Sequence, residues 1–550
     1  MQIPTNANQT QSNRRKFVIL ACVIATILMF SFFSQLPTIA DWSLFAFWAP
    51  GSILKGDLLI SMGMRPAVDF GYTYGLAVLE IARWGFALLG RTPSAFLIMT
   101  AVMEILMAFA LARLAVALRL SWQAIIFLLA ALPVAVIPNY GTLTHPLEAL
   151  LLSWALGRQA VGARSQALAI CTACAFVKPS MAYIYGFILL LWTIRELLHS
   201  KERILIKLLS QTWLAILTAL FMATALAWRF GIHSLLLTIF PVTGMHTYHD
   251  FSFGLISIGL LQFVFPDYHP WFYYLVTPAG IWIIVSLLTA AGMIRIISLL
   301  CLQLFQRQHK STTSIYLPGI LPHLDPRGET ILSIGAMQLI FIFGFYGGMN
   351  AWQYYSYLPV LFTAVLISNL SSRRFSQKQL LEVDQPSVLS ADVGKSEAAK
   401  IQSSRSFRVA LALSFLALIS QTVNIQIAWT GWTTKVRTPE TGYLWADKDQ
   451  FMQWNDILAK TSPEPTLMFT FGYLPWMPQG MSMPLGWYPN DGIRTPLEIT
   501  RLKSEILCSQ YVVILNTFHP HDPWESSDFA SIHRKFSLVF MTPTFSLWRQ

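Results

Sequence analysis

Asp41 and Asp69 stand 28 positions apart in a single segment, 37–93, that follows the first long apolar run of the chain. Trp42, Phe45, Phe47 and Trp48 surround the first, and Phe70, Tyr72 and Tyr74 follow the second in the stretch "RPAVDFGYTYG" at 65–75. A carboxylate held against apolar aromatic walls keeps a raised pKa, so it can accept the proton of a hydroxyl or orient that hydroxyl as a nucleophile. The alternative reading is structural: the acids cap interfacial helices, and the aromatic rings form the belt that marks a membrane surface.

Other polar residues repeat this choice between chemistry and architecture. His145 and Glu148 are three positions apart in "THPLEALLLSWALGRQA", so they share one face at the outer end of a helix, as hydroxyl ligands or as a capping pair. Lys178, followed by Pro179, is a cation at the outer membrane boundary, where it either meets a lipid phosphate or snorkels. Arg229 ends another outward helix and offers the same pair of roles. His246, His249 and Asp250 in "MHTYHD" have the atoms to bind a divalent metal, the one cofactor the sequence raises, but gripping a sugar pyrophosphate or an acceptor is the preferred role. Tyr354 and Tyr355 in "NAWQYYSYLP" either line a cavity or join the interfacial belt, and Glu104, in mid-helix, must face the protein interior or a partner. Cys171 and Cys174 form a C-x-x-C inside the helical "ALAICTACAFV", where packing is expected rather than redox chemistry. With Cys22 and Cys301 also in or beside apolar helices and Cys508 alone near the end, no disulfide framework is implied.

The elements that must position these residues are membrane helices. The 550 residues are 55% hydrophobic and only 12% charged, with a mean hydropathy of +0.52, which excludes an ordinary soluble domain. Apolar runs at 17–36, 94–118, 122–138, 146–161, 165–178, 180–195, 208–228, 271–300, 330–349, 353–370 and 409–429 predict about eleven spanning helices, thirteen at the most. The stretch "GLAVLEIARWGFALLG" at 75–90 is short and holds Glu80 and Arg83; charge places it flat on the outer surface. With it flat, 22 Lys and Arg before residue 430 fall inside and six fall outside: Lys55, Arg65, Arg83, Arg91, Lys178 and Arg229. This distribution also accounts for the net charge of +11, so nucleic acid is not an expected partner.

The expected organisation is a cytoplasmic tail at 1–16, a transmembrane domain at 17–430 and an extracytoplasmic α/β domain at 431–550. The transmembrane domain contains a first outer segment, 37–93, built of membrane-surface helices, and a polar, serine-rich cytoplasmic linker at 371–408. "NRRK" at 13–16 before the first run makes that run an uncleaved anchor with the amino terminus inside, and the odd number of crossings puts the carboxy terminus outside. Apolar runs such as "TLMFTF" and "YVVILN" alternating with helix-compatible stretches suggest the α/β character of the last part.

An aspartate shortly after the first helix, then "APGSILKGD", then "P-x-x-DF-x-Y-x-YG" leading into a surface helix, resembles the first outer loop of the GT-C glycosyltransferases. "THPLEALLLSWALGRQA" and "ALAICTACAFVKPS" resemble that family's fourth helix and its later segment with a lysine at the outer helix end. The resemblance covers most of residues 15–230 in pattern and the remainder in layout. It implies a polytopic enzyme of the bacterial inner membrane that moves a sugar from a polyprenyl-phosphate donor to an extracytoplasmic lipid, glycan or protein. It further implies Asp41 as the base, with Asp69 at the second acid position and Lys178 at the helix end; the reading of the residues themselves sets Lys178, Arg229, His145 and Glu148 toward the donor, and Tyr72, Tyr74, His246, His249 and Asp250 toward substrate. The chain lacks the paired acids or "HPDE"-like cluster of some branches, which leaves the acceptor class open. A transporter or flippase of a glycolipid would instead place charge near mid-membrane, where Glu104 is the one good fit, and a noncatalytic assembly subunit would keep the bundle and the outer domain.

Overall fold

The computed structural model describes residues 6–47, 49–72, 74–136, 142–199, 204–240, 281, 284–298, 325–340, 355–372, 392–430, 434–438, 442–468, 496–516, 524 and 529–550. The chain is a mostly helical, polytopic membrane protein. Five described segments are long and apolar enough to cross a bilayer: Arg14–Ser34, Pro93–Ala117, Pro179–Leu197, Ile206–Phe230 and Arg405–Gln426. They belong to α1 (Asn6–Ser34), α6 (Pro93–Ala117), α10 (Pro179–His199), α11 (Ile204–Phe230) and α16 (Asp392–Thr430).

Six other expected spans coincide with shorter helices: α7 (Trp122–Val136), α8 (Thr144–Ala160), α9 (Arg164–Ala175), α13 (Ile284–Ser298), α14 (Pro326–Ile340) and α15 (Tyr357–Ser372). At 1.5 Å per residue a fifteen-residue helix is about 22 Å long, short of the ~30 Å hydrocarbon core, so length alone does not make these spans. Within the bundle α1 packs on α6, α6 on α8, α8 on α9, and α9 on both α10 and α11, while α7 lies between α15 and α16. Between α11 and α13 the short α12 (Ile232–Ile239) is also described.

The first outer segment forms α2 (Leu36–Ile39), α3 (Trp42–Phe47), α4 (Ala49–Ser61) and α5 (Leu76–Leu89). At fourteen residues α5 is too short to span, and it buries one stripe, Leu76, Leu79, Ala82 and Phe86, while Trp84 and Leu88 stay exposed. Asp57 of α4 ties this layer together, pairing with Arg83 at 3.6 Å and Arg91 at 2.5 Å. Gly75 begins α5 where no side chain fits, because a Cβ there would sit 2.0 Å from the Phe176 carbonyl oxygen. That approach lets the Gly75 and Ala77 amides donate to Val177 and Phe176 at the end of α9, at 2.9 and 3.1 Å.

Past α16 the chain forms the antiparallel pair β1 (Thr434–Thr438) and β2 (Gly442–Ala446), then α17 (Lys448–Thr461). A four-stranded sheet follows in the order β3 (Thr466–Met468), β4 (Tyr511–Leu515), β6 (Phe545–Arg549), β5 (Ser537–Met541), with α18 (Pro496–Leu507) and α19 (Ala530–His533). β3 and β4 are parallel, and the other pairings are antiparallel. Alternation along β4 divides the packing: Val513 and Leu515 join the main core with Trp454 and Phe545, whereas Val512 and Ile514 face Leu502 and Ile506. Trp42 of α3 stacks near Phe451 and Trp454 of α17, at 5.8 and 6.3 Å between ring centres, so the sheet domain and the outer segment share one apolar core.

Candidate active site

The N-terminal ends of α8 and α10 and the C-terminal end of α9 bring a charged cluster together. Glu148, in the second turn of α8, is wholly buried and accepts from the Tyr355 hydroxyl at 3.0 Å on both carboxylate oxygens. Lys178, between α9 and α10, lies 3.6 Å from Glu148 Oε2 and 3.2 Å from His145 Nδ1, with its ammonium 4.9 Å from the centre of the Tyr355 ring. An ammonium only donates, so a charged Lys178 fixes Nδ1 of His145 as an acceptor and leaves the ring proton on Nε2. The Tyr74 ring meets the His145 ring edge-on at 6.3 Å, and Tyr72 meets Tyr74 at 6.0 Å. The Gly75 contact with the end of α9 is what carries these two tyrosines to the cluster.

Two sequence expectations change here. Lys178 is not a snorkelling cation at the boundary, because its charge faces a buried carboxylate. Tyr355 is buried and hydrogen-bonded rather than part of an interfacial belt, and its partner lies 207 positions away. Ser180 adds a contact to the same hydroxyl at 3.4 Å.

Asp41 is built into a different place, the junction of α2, α3 and β2. The Trp445 amide donates to the Ala40 carbonyl at 2.9 Å, which lays β2 beside Asp41, and Trp429 of α16 donates to the Ser34 carbonyl at 2.8 Å. Asp41 is buried, accepting the Ser43 amide on Oδ1 at 2.9 Å and the Ser43 hydroxyl on Oδ2 at 2.8 Å. This is also a capping geometry for α3, so one side chain fulfils the architectural reading and keeps acceptor capacity on both oxygens. Burial raises its pKa from 3.8 to about 7, the Ser43 bonds opposing and nearby Asp447 adding to the rise. Among the described residues no cation forms an ion pair with it.

Asp69 has the opposite surroundings. Its oxygens accept from the Arg65 amide at 2.7 Å, from Nε at 3.1 Å and from Nη2 at 3.3 Å, on a side chain that is partly exposed. Partial burial pushes its pKa up, but the Arg65 bonds and charge, with Arg501 beyond, outweigh that and hold it below the usual carboxylate value. Arg229 is paired with Glu80 at 3.5 Å at the end of α11, half exposed. The structure thus gathers His145, Glu148, Lys178 and Tyr74, with Tyr72 adjoining, while Asp41, Asp69 and Arg229 each have partners of their own. His246, His249, Asp250 and Tyr354 lie outside the described residues. Among the described residues no three His, Cys, Asp or Glu gather in a group able to hold a metal ion.

Sequence reasoning missed Lys55 as anything but a topological charge. On α4 it is fully buried, its ammonium nitrogen has no hydrogen-bond partner among the described residues, and burial lowers its pKa to about 7 against the charges of Glu505 and Glu498. Glu498 of α18 also accepts the Gly71 amide at 2.7 Å, joining the sheet domain to the "VDFGYTYG" stretch. The signal was present in "ILKGDLLI", a cation and an acid between apolar runs of a surface helix. The Tyr72 hydroxyl is likewise buried without a hydrogen-bond partner among the described residues, and burial pushes its pKa up. Glu104 is wholly buried in α6, and neither carboxylate oxygen has a hydrogen-bond partner among the described residues.

No family model matches the chain, and no curated protein matches it. Solved structures resemble it along nearly its whole length. ArnT from Cupriavidus metallidurans bound to undecaprenyl phosphate is 11% identical, with 96% of this chain and 97% of that one covered and a TM-score of 0.45. The Archaeoglobus fulgidus oligosaccharyltransferase in complex with zinc and sulfate is 9% identical over 94% of this chain and 72% of that one, with a TM-score of 0.42. The arabinofuranosyltransferase AftD from Mycobacteria is 12% identical over 98% of this chain and 40% of that one, with a TM-score of 0.39. These three are GT-C glycosyltransferases, the family that the first outer segment resembles.

Proposed function

We propose that this chain is a membrane glycosyltransferase that moves a sugar from a polyprenyl-phosphate donor to a hydroxyl of an extracytoplasmic lipid, glycan or protein. The observation that carries the reading is Asp41: a buried carboxylate at the outer rim, with a pKa near neutrality and free acceptor capacity, in the segment whose pattern resembles the GT-C first loop. In the reaction the acceptor oxygen bonds to the anomeric carbon, the bond from that carbon to the phosphate oxygen breaks, and polyprenyl phosphate leaves with the bonding pair. Asp41 takes the acceptor proton, and attack from the face opposite the leaving group inverts the anomeric centre. Lys178 is the cation placed to meet the departing phosphate, with Glu148 and Tyr355 fixing its position and Tyr72 and Tyr74 flanking the sugar. The membrane is the bacterial inner membrane, with the amino terminus cytoplasmic and the sheet domain outside.

A radiolabelled polyprenyl-phosphate sugar supplied to membranes holding the protein tests this reading. Label should reach an acceptor with the wild type and stay on the donor with Asp41→Asn, at equal expression. The second reading, a glycolipid transporter or flippase, draws on Glu104, a buried acid in mid-membrane. A transporter carries the donor across with its sugar bond intact, so label reappearing on a new acceptor with purified protein rules it out.

A further inference from the structure

α9 runs from Arg164 to Ala175 and has Lys178 just beyond its outer end. Its other end, about 18 Å away by helix rise, opens on a cavity of about 620 Å³. Arg164 and Ser165 of α9, Glu196 of α10, and Gln211, Trp213 and Leu214 of α11 are on its wall. Arg164 grips the buried Glu329 of α14 with one nitrogen, at 2.5 and 2.6 Å to the two carboxylate oxygens, and Glu196 with the other. Arg195 reaches Glu329 at 3.1 Å, and Lys207 reaches Glu196 at 3.1 Å.

Among the described residues this network counts three cations against two carboxylates, a surplus of one positive charge. Its acids also differ: the Glu329 side chain is 2% exposed and held by two arginines, whereas the Glu196 side chain is 37% exposed, open to exchange for another anion. Ser165 Oγ and Gln211 Oε1, on the same wall, are buried and have no hydrogen-bond partner among the described residues, the Gln211 side chain also bonding Glu196. From Trp213 an exposed apolar stripe continues along α11 through Ile216, Leu217, Leu220 and Phe221, on a span of which only 11% is buried. A surplus cation, unused hydroxyl and amide atoms and an adjoining apolar track together describe the outline of an amphiphile.

We propose that this cavity binds the phosphate headgroup of an anionic membrane lipid, in the leaflet opposite the candidate active site. The phosphate takes Arg164 and Lys207 in place of Glu196, a hydroxyl of the headgroup reaches Gln211 Oε1, and an acyl chain lies on the α11 stripe. Each basic residue at such a surface contributes about fivefold to affinity for an anionic headgroup.

The test is native mass spectrometry of delipidated, purified full-length protein titrated with phosphatidylglycerol or phosphatidylcholine. Phosphatidylglycerol should bind at least tenfold more tightly, Lys207→Ala should weaken it about fivefold, and Lys207→Glu should abolish the preference, with melting temperatures unchanged. Lys207→Gln replaces Lys207→Glu should the latter fail to fold, and is expected to behave as Lys207→Ala. Arg164 is left in place, since its loss strands the buried Glu329. Equal binding of the two lipids, or an unchanged preference in a folded Lys207 variant, overturns the proposal. Displacement of the lipid by millimolar inorganic phosphate overturns the lipid assignment and makes the site one for a soluble phosphate.

Discussion

Two buried carboxylates of this molecule are held in contrasting ways. Glu148 has a lysine at 3.6 Å and a tyrosine hydroxyl on both oxygens; Asp41 has, among the described residues, Ser43 on both oxygens and no paired cation, and burial lifts its pKa to about 7. The difference is one of task. Glu148 is tied to a lysine and a tyrosine and orients them, whereas Asp41, with no cation paired to it among the described residues, sits near the point of proton exchange. Asp69 completes the contrast, since an exposed arginine keeps it ionised and therefore a weak base.

The largest expected effect separates the two loop aspartates. Asp41→Asn keeps the Ser43 bonds nearly intact but removes the base, and should slow transfer by roughly 10²–10⁴-fold. Asp69→Asn should slow it no more than about threefold, since an exposed ion pair contributes ~0–1 kcal/mol. Turnover assays of both in one membrane preparation decide this, and equal losses would erase the distinction.

Next comes the compensated pair. Lys178→Ala strands Glu148 in the interior, a change that costs about 3–5 kcal/mol, so it should lower thermal stability and donor affinity together. The double variant Lys178→Ala, Glu148→Gln should recover most of the stability while donor KM stays high. Recovery of both would make Lys178 structural only. The smallest effect is expected of Tyr355→Phe, which removes the hydroxyl on Glu148 and should cost about 1–2 kcal/mol in unfolding free energy while leaving the Asp41-dependent step intact. A large loss of kcat in that variant would move the chemistry from Asp41 to the cluster.

Local patterns made part of this legible. The acid after the first apolar run, the shared face of His145 and Glu148, and the short charged stretch at 75–90 are all properties of a few neighbouring residues, and helix and membrane geometry translate them directly. The partners were not legible. Glu148 meets a lysine 30 positions on and a tyrosine 207 positions on, and Gly71 meets a glutamate 427 positions on, so their pairing is decided by how helices and domains pack. Lys55 shows the same limit, because a charge count assigns a cation to a membrane face and cannot reveal that packing has enclosed it. Asp41 itself was readable as a candidate base or as a cap, and the geometry unites the two, since Ser43 binds both oxygens while burial, with Asp447 nearby, sets the pKa high.

The pH dependence of transfer tests the central claim most directly. The folded pKa of Asp41 is raised, so its contribution to stability is full below the ordinary value of 3.8 and is lost as pH rises through about 7. Base competence runs the other way, appearing over that same interval. The wild-type kcat/KM should therefore climb about tenfold per pH unit below neutrality and level off above an inflection near 7. In Asp41→Asn the residual rate should be flat across that range, which also separates Asp41 from Lys55, whose titration falls in the same window. A wild-type profile without the inflection, or the same inflection retained in Asp41→Asn, would contradict the assignment of Asp41 as the base.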